Sequence, residues 1–144
     1  MRIEKIEGEI FMDNAKEIRW KQRFENFEKA YLVLKENVDH PIKTDLERAG
    51  LIQLFEMTFK LSWKVLKDYL EAEGYSVRSP RETLKQAFQM GLIGEGHIWI
   101  DALSDRNLTT HTYDETLAEK LVKDIRENYF PAIEKMYDKL SKER

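Results

Sequence analysis

The 144-residue sequence has no cysteine, which excludes disulfide bonds, thiolate metal sites and cysteine nucleophiles. A chain without cysteine fits a reducing compartment, so we expect a cytoplasmic protein. No run approaches the roughly 18 apolar residues of a membrane span. The start, MRIEKIEGEIF, is interrupted by acidic residues and is therefore not expected to be a signal peptide. We expect no membrane association.

Glycine and proline are scarce, with 6 and 3 residues, and no low-complexity linker divides the chain. Neither sign of charge dominates, because 24 Lys and Arg oppose 27 Asp and Glu for a net charge of -3. The broad positive surface of a DNA-binding domain is absent, so no DNA partner is expected, and any RNA contact would need a local basic patch. High charge of mixed sign is typical of amphipathic helices with solvated outer faces.

Apolar residues recur every three or four positions, which is the spacing of one face of an α-helix. Three such stripes stand out: Trp20, Phe24, Phe27, Tyr31, Leu34 and Val38; then Leu51, Phe55, Phe59, Leu66 and Tyr69, with Ser62 on the same side; and finally Leu117, Leu121, Ile125, Ile133, Met136 and Leu140. No segment alternates with a period of two over a useful length. The pattern predicts an all-α protein.

Start and stop signals separate these stripes. Helix N-caps with a carboxylate three residues on are predicted at Asn14, Thr44, Ser79 and Thr112, of which Ser79-Pro80 with Glu82 is the strongest. Stops are expected at Pro41, Gly74 and Gly91, and Pro131 should kink the last helix near residues 128–130.

The predicted architecture is a mostly antiparallel, up-and-down four-helix bundle with one extra short helix. Residues 14–144 would form this single domain, preceded by an N-terminal extension of residues 1–13. The aromatic content (Phe 7, Tyr 6, Trp 3) exceeds what one four-helix core needs, so we expect a homodimer. Ordinary core packing explains the same rings equally well.

A segment between two predicted helices carries residues suited to phosphodiester chemistry. Arg106 can hold a phosphate with its planar guanidinium, and His111 can take or give a proton near neutral pH. On a regular helix these two residues would lie about 140° apart, so only an irregular junction could bring them together. Asn107 could position the substrate or fix the turn, and Asp105 could orient a neighbour. Alternatively, both Arg106 and His111 are ordinary surface residues at helix ends.

His97, Asp101 and Asp105 line one side of the preceding helix at intervals of four residues. Nitrogen and oxygen ligands of this kind can bind a transition metal. A straight stripe of this length spans about 12 Å and cannot close around one ion, so we expect the polar side of an amphipathic helix and no metal or other cofactor.

Two basic stripes offer local RNA contacts. Arg19, Lys21 and Arg23 alternate with aromatic side chains, a combination that suits single-stranded RNA. The polar face of an amphipathic helix explains them as well. For Lys60, Lys64 and Lys67, salt bridges with neighbouring acids are the ordinary explanation.

The pattern Arg-x-x-x-x-His-x-Tyr, formed here by Arg106, His111 and Tyr113, resembles the motif of the HEPN-type family of nucleotidyltransferase-associated proteins, the HepT-like toxins. Further stretches resemble the same family in the same order, at residues 19–24, 50–56, 63–70, 79–82 and 87–93. The likeness runs from about residue 19 to about residue 140, and the matches are specific only in combination.

The resemblance implies a metal-independent endoribonuclease toxin that is paired with a small nucleotidyltransferase antitoxin. Arg106 would bind phosphate and His111 would act as acid and base, in a cleft at the dimer interface. Tyr113 would accept AMP from the partner, which would inactivate the toxin. An older description of the family implies the alternative, a non-catalytic substrate-binding partner of the nucleotidyltransferase. A purely structural dimeric bundle is a third possibility.

Overall fold

A computed structural model describes the backbone of residues 2–144 and the side chains of residues 14–144. The helices are α1 (Arg2–Asn37), α2 (Asp45–Ala72), α3 (Pro80–Gln89), α4 (Gly96–Asp105), a 3-10 helix (Arg106–His111), α5 (Glu115–Asp124), a π-turn (Ile125–Tyr129) and α6 (Phe130–Ser141). Residues 2–144 contain no strand. The all-α prediction is confirmed, and α3 is the extra short helix.

Helix α1 begins at Arg2, so the predicted start at Asn14 is wrong. The sequence before Asn14 contains no proline, and its glutamate, lysine and methionine residues favour helix, so the backbone runs through that position without interruption. The side chains of residues 1–13, the predicted extension, lie outside the described part of the chain. Pro41 follows the last turn and prevents the helix from continuing.

The α2 and α3 starts agree with the sequence. Thr44 accepts a hydrogen bond from the Glu47 amide at 3.1 Å, and Ser79 accepts one from the Glu82 amide at 3.1 Å. Helix α2 ends just before Gly74, whose φ of +94° places it in the left-handed region that favours glycine. Local capping therefore sets both ends of α2.

Helices α1 and α2 form an antiparallel pair at the centre of the core. Their direction follows from two contacts: Arg23 bonds Asp68 at 2.9 Å, and further along α1 the Ala30 carbonyl accepts from Thr58 at 3.2 Å. The predicted apolar stripes of both helices are buried. None of the described helices is long and apolar enough to cross a membrane.

Helices α5 and α6 run on from each other through the π-turn, which ends shortly before Pro131 in the first turn of α6. The turn confirms an irregularity near the predicted kink. It directs Tyr129 inward, where its ring stacks on Phe55 of α2 at 5.5 Å between centroids. Helix α6 returns along α1, with Tyr137 stacked on Tyr31 at 4.2 Å.

Candidate functional site

The junction between α4 and α5 contains every residue of the predicted motif. Helix α4 ends at Asp105, and Arg106–His111 form a 3-10 helix. The predicted cap at Thr112 is wrong, because Thr112 has helical φ and ψ of -64° and -15°. Asp114 caps α5 instead, with an extended backbone and a carboxylate that accepts from the Leu117 amide at 3.2 Å.

Two threonines fit the junction to its tighter helix. Thr109 donates to the Arg106 carbonyl at 2.8 Å, and Thr110 donates to the Asn107 carbonyl at 3.4 Å. Each hydroxyl reaches the carbonyl three residues back, so both bonds stay within the segment. Thr109 is buried, whereas Asn107 and Thr110 are exposed. The predicted irregular junction is therefore present.

Ideal 3-10 geometry does not turn Arg106 and His111 toward each other. A 3-10 helix has three residues per turn, so a separation of five residues leaves the two side chains about 120° apart. The polar contacts of residues 14–144 include none between Arg106 and His111. Their action on one phosphate stays a prediction, and it needs a geometry beyond that of a single 3-10 segment.

His111 and Tyr113 do lie together. Nδ1 of His111 is 3.0 Å from the Tyr113 hydroxyl, and the two rings meet edge to face at 5.6 Å between centroids. His111 is exposed, and Tyr113 is 82% exposed. A large aromatic side chain so open to solvent is accessible to a modifying enzyme.

Asp105 points away from the exposed motif and accepts a hydrogen bond from the buried Tyr129. Both residues line a cavity of about 480 Å³ beside the junction. His97 and Asp101 line the same cavity, so the predicted stripe does share one surface. Nothing in the sequence spacing had indicated Tyr129, because its partner lies 24 residues away in the chain.

Lys120 projects from α5 toward this acidic cavity. Its pKa is raised above the ordinary lysine value, first by its hydrogen bond to Asp124 and then by the charges of Asp124 and Asp105. Across residues 14–144, no group of three or more histidine or acidic side chains is arranged to hold a metal ion.

The predicted RNA-binding cations of α1 are all engaged in ion pairs. Arg19 lies 3.4 Å from Glu71, Lys21 lies 3.5 Å from Glu17, and Arg23 lies 2.9 Å from the buried Asp68. These pairs favour the ordinary interpretation, an amphipathic helix whose basic side chains are neutralised by neighbours. RNA binding by these residues has no support from their contacts.

Fold and junction together define a class: small helical bundles that carry arginine, histidine and tyrosine at one break between helices. The chain belongs to the family described as nucleotidyltransferase substrate binding protein like, whose sequence model matches residues 22–142. The resemblance inferred from the sequence is thereby confirmed.

Two solved structures share the fold. A protein from Thermus thermophilus is 33% identical, with a TM-score of 0.68 over 81% of this chain and 97% of that one. A Haemophilus influenzae protein is 24% identical, with a TM-score of 0.72 over 82% of this chain and 98% of that one. The second structure was described as revealing the fold of a substrate-binding domain of a nucleotidyltransferase, and at this identity it supports the fold alone.

A curated relative carries an enzyme name. The chain is 35% identical over 75 residues to the probable ribonuclease HepT of Haemophilus influenzae. The match covers 49% of this chain and 51% of that protein, so it spans about half the length of the relative.

Proposed function

We propose that this chain is a metal-independent endoribonuclease toxin of the HEPN type, which works in the cytoplasm as a homodimer and is inactivated when a small nucleotidyltransferase adenylylates Tyr113. Family membership and the HepT relative support this proposal. The observation that carries it is the 3.0 Å contact between His111 and Tyr113 in an exposed junction. That contact joins the proposed acid–base group directly to the proposed acceptor of AMP.

In the proposed reaction, the ribose 2′-oxygen attacks the adjacent phosphorus and the bond to the 5′-oxygen breaks. The 2′-hydroxyl proton passes to a base, and a proton is delivered to the departing 5′-oxygen. The imidazole of His111 suits both transfers because one ring nitrogen can accept a proton and then return it. The guanidinium of Arg106 binds the phosphoryl oxygens and stabilises their growing negative charge. The products are a 2′,3′-cyclic phosphate and a 5′-hydroxyl.

The divergence of Arg106 and His111 is the reason for proposing a homodimer. Side chains about 120° apart on one 3-10 helix do not flank the same phosphate. Two junctions that face each other across a two-fold axis would place Arg106 of one protomer opposite His111 of its partner. The catalytic cleft would then belong to the interface.

The same contact supplies a mechanism for inactivation. The Tyr113 oxygen attacks the α-phosphorus of ATP held by the nucleotidyltransferase, pyrophosphate leaves, and the phenolic proton passes to a base. Nδ1 of His111 can accept that proton in the tautomer that leaves Nδ1 free. The product replaces the hydroxyl next to His111 with an anionic phosphodiester, which repels RNA phosphates and blocks their approach.

Cleavage of RNA by the purified protein tests the catalytic role. His111→Ala should lower kcat about 100-fold or more, as expected for loss of a general acid–base group. His40→Ala is the matched control, because His40 lies between α1 and α2 and contacts Glu47 rather than the junction. Products should end in 2′,3′-cyclic phosphate with or without EDTA. If His111→Ala cleaves RNA as fast as wild type, or if neither protein cleaves RNA, the proposed catalytic role of His111 is wrong.

Mass spectrometry after co-expression with the partner nucleotidyltransferase tests the modification. We expect an AMP adduct on the wild-type protein. The matched control, Tyr75→Phe, removes the hydroxyl of a different exposed tyrosine and should carry the adduct as well. Tyr113→Phe should carry no adduct, and the modified wild type should lose ribonuclease activity. An adduct on Tyr113→Phe would place the acceptor elsewhere.

The alternative is a non-catalytic partner that presents substrate to the nucleotidyltransferase. The family description favours it. A stable complex with the nucleotidyltransferase, without RNA cleavage and without modification of Tyr113, would support this second function over the first.

A further inference from the structure

Tyr129 is tied to the motif by one partly buried hydrogen bond. Its hydroxyl donates to the Asp105 carboxylate, and only 4% of the residue is exposed. Asp105 is the last residue of α4 and is bonded covalently to Arg106, the first residue of the 3-10 helix. A fixed Asp105 side chain therefore fixes the point from which the motif starts.

The anchor is rigid because of its place in the fold. Tyr129 is the last residue of the π-helical turn, and single π-helical turns (π-bulges) within helices recur at functional sites. The Tyr129 ring stacks on Phe55 at 5.5 Å with an interplanar angle of 21°, which restricts its rotation. Burial is the main cause that raises the pKa of Tyr129 far above the ordinary tyrosine value, followed by its bond to Asp105. A phenol is protonated at neutral pH even at its ordinary pKa of about 10, so the hydroxyl can act as the donor there.

The motif has few other side-chain hydrogen bonds. Thr109 and Thr110 bond only to carbonyls within the 3-10 helix, and His111 bonds to Tyr113. Among the described side chains, the bond from Tyr129 is the one side-chain hydrogen bond that joins residues 105–113 to another helix. Since 3-10 hydrogen bonds have poor geometry, such a segment depends on outside contacts for its orientation.

We propose that Tyr129 is a positioning residue for the motif: through Asp105 it sets the direction of Arg106 and the path of the 3-10 helix that leads to His111. The proposal rests on the proposed ribonuclease function. It does not require Tyr129 to touch RNA, because the hydroxyl is already occupied by Asp105.

Steady-state kinetics provides the first test. Tyr129→Phe removes the hydroxyl but keeps the stacked ring, so we expect kcat to fall about 10-fold while KM changes less than twofold. The matched control is Tyr137→Phe, which breaks an equivalent bond from a tyrosine hydroxyl to the Glu28 carboxylate, 2.5 Å long, between α6 and α1. This control should keep the kcat of wild type.

Variants of Asp105 separate positioning from general stability. Asp105→Asn keeps an oxygen that can accept from Tyr129 and should retain most of the kcat. Asp105→Ala should match Tyr129→Phe, and the double variant should be no worse than either single variant, because both remove one interaction. Additive losses would overturn the proposal, since they would mean that the two residues act independently.

Hydrogen exchange of the backbone amides of residues 106–113 gives a second readout that needs no RNA. Exchange should rise in Tyr129→Phe and remain at the wild-type rate in Tyr137→Phe. If wild type cleaves no RNA, the proposed function fails while exchange still decides whether Tyr129 holds the segment. Equal exchange in both variants, or faster exchange in Tyr129→Phe with unchanged kcat, would overturn the positioning role.

Discussion

At the scale of single residues, the clearest electrostatic feature is the pair formed by Arg23 and Asp68. Nε of Arg23 lies 2.9 Å from the Asp68 carboxylate, whose side chain is 8% exposed. A carboxylate so far out of water needs its partner, because an unpaired buried charge is strongly unfavourable. The main contribution of Arg23 is therefore to the stability of the α1–α2 pair.

We expect Arg23→Ala to lower the free energy of unfolding by about 1–3 kcal/mol, since it leaves the Asp68 carboxylate without a partner. Urea denaturation measures the change. Lys21→Ala is the control, because the Lys21–Glu17 pair is exposed on both sides and such pairs contribute less than about 1 kcal/mol. Unchanged stability with weaker RNA binding in Arg23→Ala would instead support its predicted role as an RNA contact.

The residues of the site differ in how far sequence reasoning could reach them. Arg106, His111 and Tyr113 could be selected because their chemistry and spacing match a known motif. Tyr129 could not be selected in this way, because its bond to Asp105 depends on how the segment joining α5 and α6 packs against α4. Long-range contacts of this kind leave no periodic signal in the chain.

At the scale of helices, the junction is stabilised from its far side by the cap of α5. The Asp114 carboxylate accepts from the Leu117 amide at 3.2 Å and satisfies a donor that would otherwise lack an intrahelical partner. The first turn of α5 also carries Glu115, a favourable charge at a helix N-terminus.

Asp114→Ala should therefore lower the free energy of unfolding by about 1 kcal/mol, the usual value of an N-cap side chain. Asp114→Asn, which can still accept from the Leu117 amide, should be close to wild type. Thr112→Ala is the comparison, and thermal unfolding measures all three. If Thr112→Ala loses more unfolding free energy than Asp114→Ala, Thr112 rather than Asp114 would be the N-cap of α5.

Helix positions were predictable where local chemistry decides them, as at Thr44, Ser79 and Gly74. Two starts were wrong for different reasons. Asn14 is overridden because the preceding residues are themselves good helix formers. Thr112 matched the pattern of a cap with Glu115. However, the 3-10 helix extends to His111 and Thr112 keeps helical angles, so the extended backbone that an N-cap needs occurs only at Asp114.

At the scale of the whole molecule, buried aromatic rings form much of the interface between α1, α2 and α6. Trp20 meets Tyr69 at 5.0 Å, and Tyr31 lies between Phe130 and Tyr137. Because most of the rings pack within one chain, the aromatic content does not require a second chain. The case for a dimer rests on the motif.

These buried phenols predict a loss of stability at high pH. Burial raises the pKa of Tyr69 to about 12 and raises those of Tyr31 and Tyr129 as well. The ordinary value of about 10 applies in the unfolded chain. A raised pKa means that the stabilising contribution is complete below pH 10 and is lost as pH rises through the folded value.

We therefore expect the free energy of unfolding to fall as pH rises from 10 toward 12, with tyrosine ionisation at 295 nm that coincides with loss of helical circular dichroism. Tyr69→Phe should flatten this decline, because it removes one of the groups that ionise on unfolding. A stability that is level between pH 10 and 12 would contradict this assignment.

Because the 3-10 helix has three residues per turn, the number of residues between Arg106 and His111 determines the angle between their side chains. With four residues between Arg106 and His111, ideal 3-10 geometry sets the guanidinium and the imidazole about 120° apart, and in the proposed dimer each copy of the chain would offer half of a catalytic pair to the other. One inserted residue would complete two full turns and bring both groups to one side. In the proposed dimer, the spacing of the motif would therefore make cleavage depend on protein concentration, and dilution alone would switch it off.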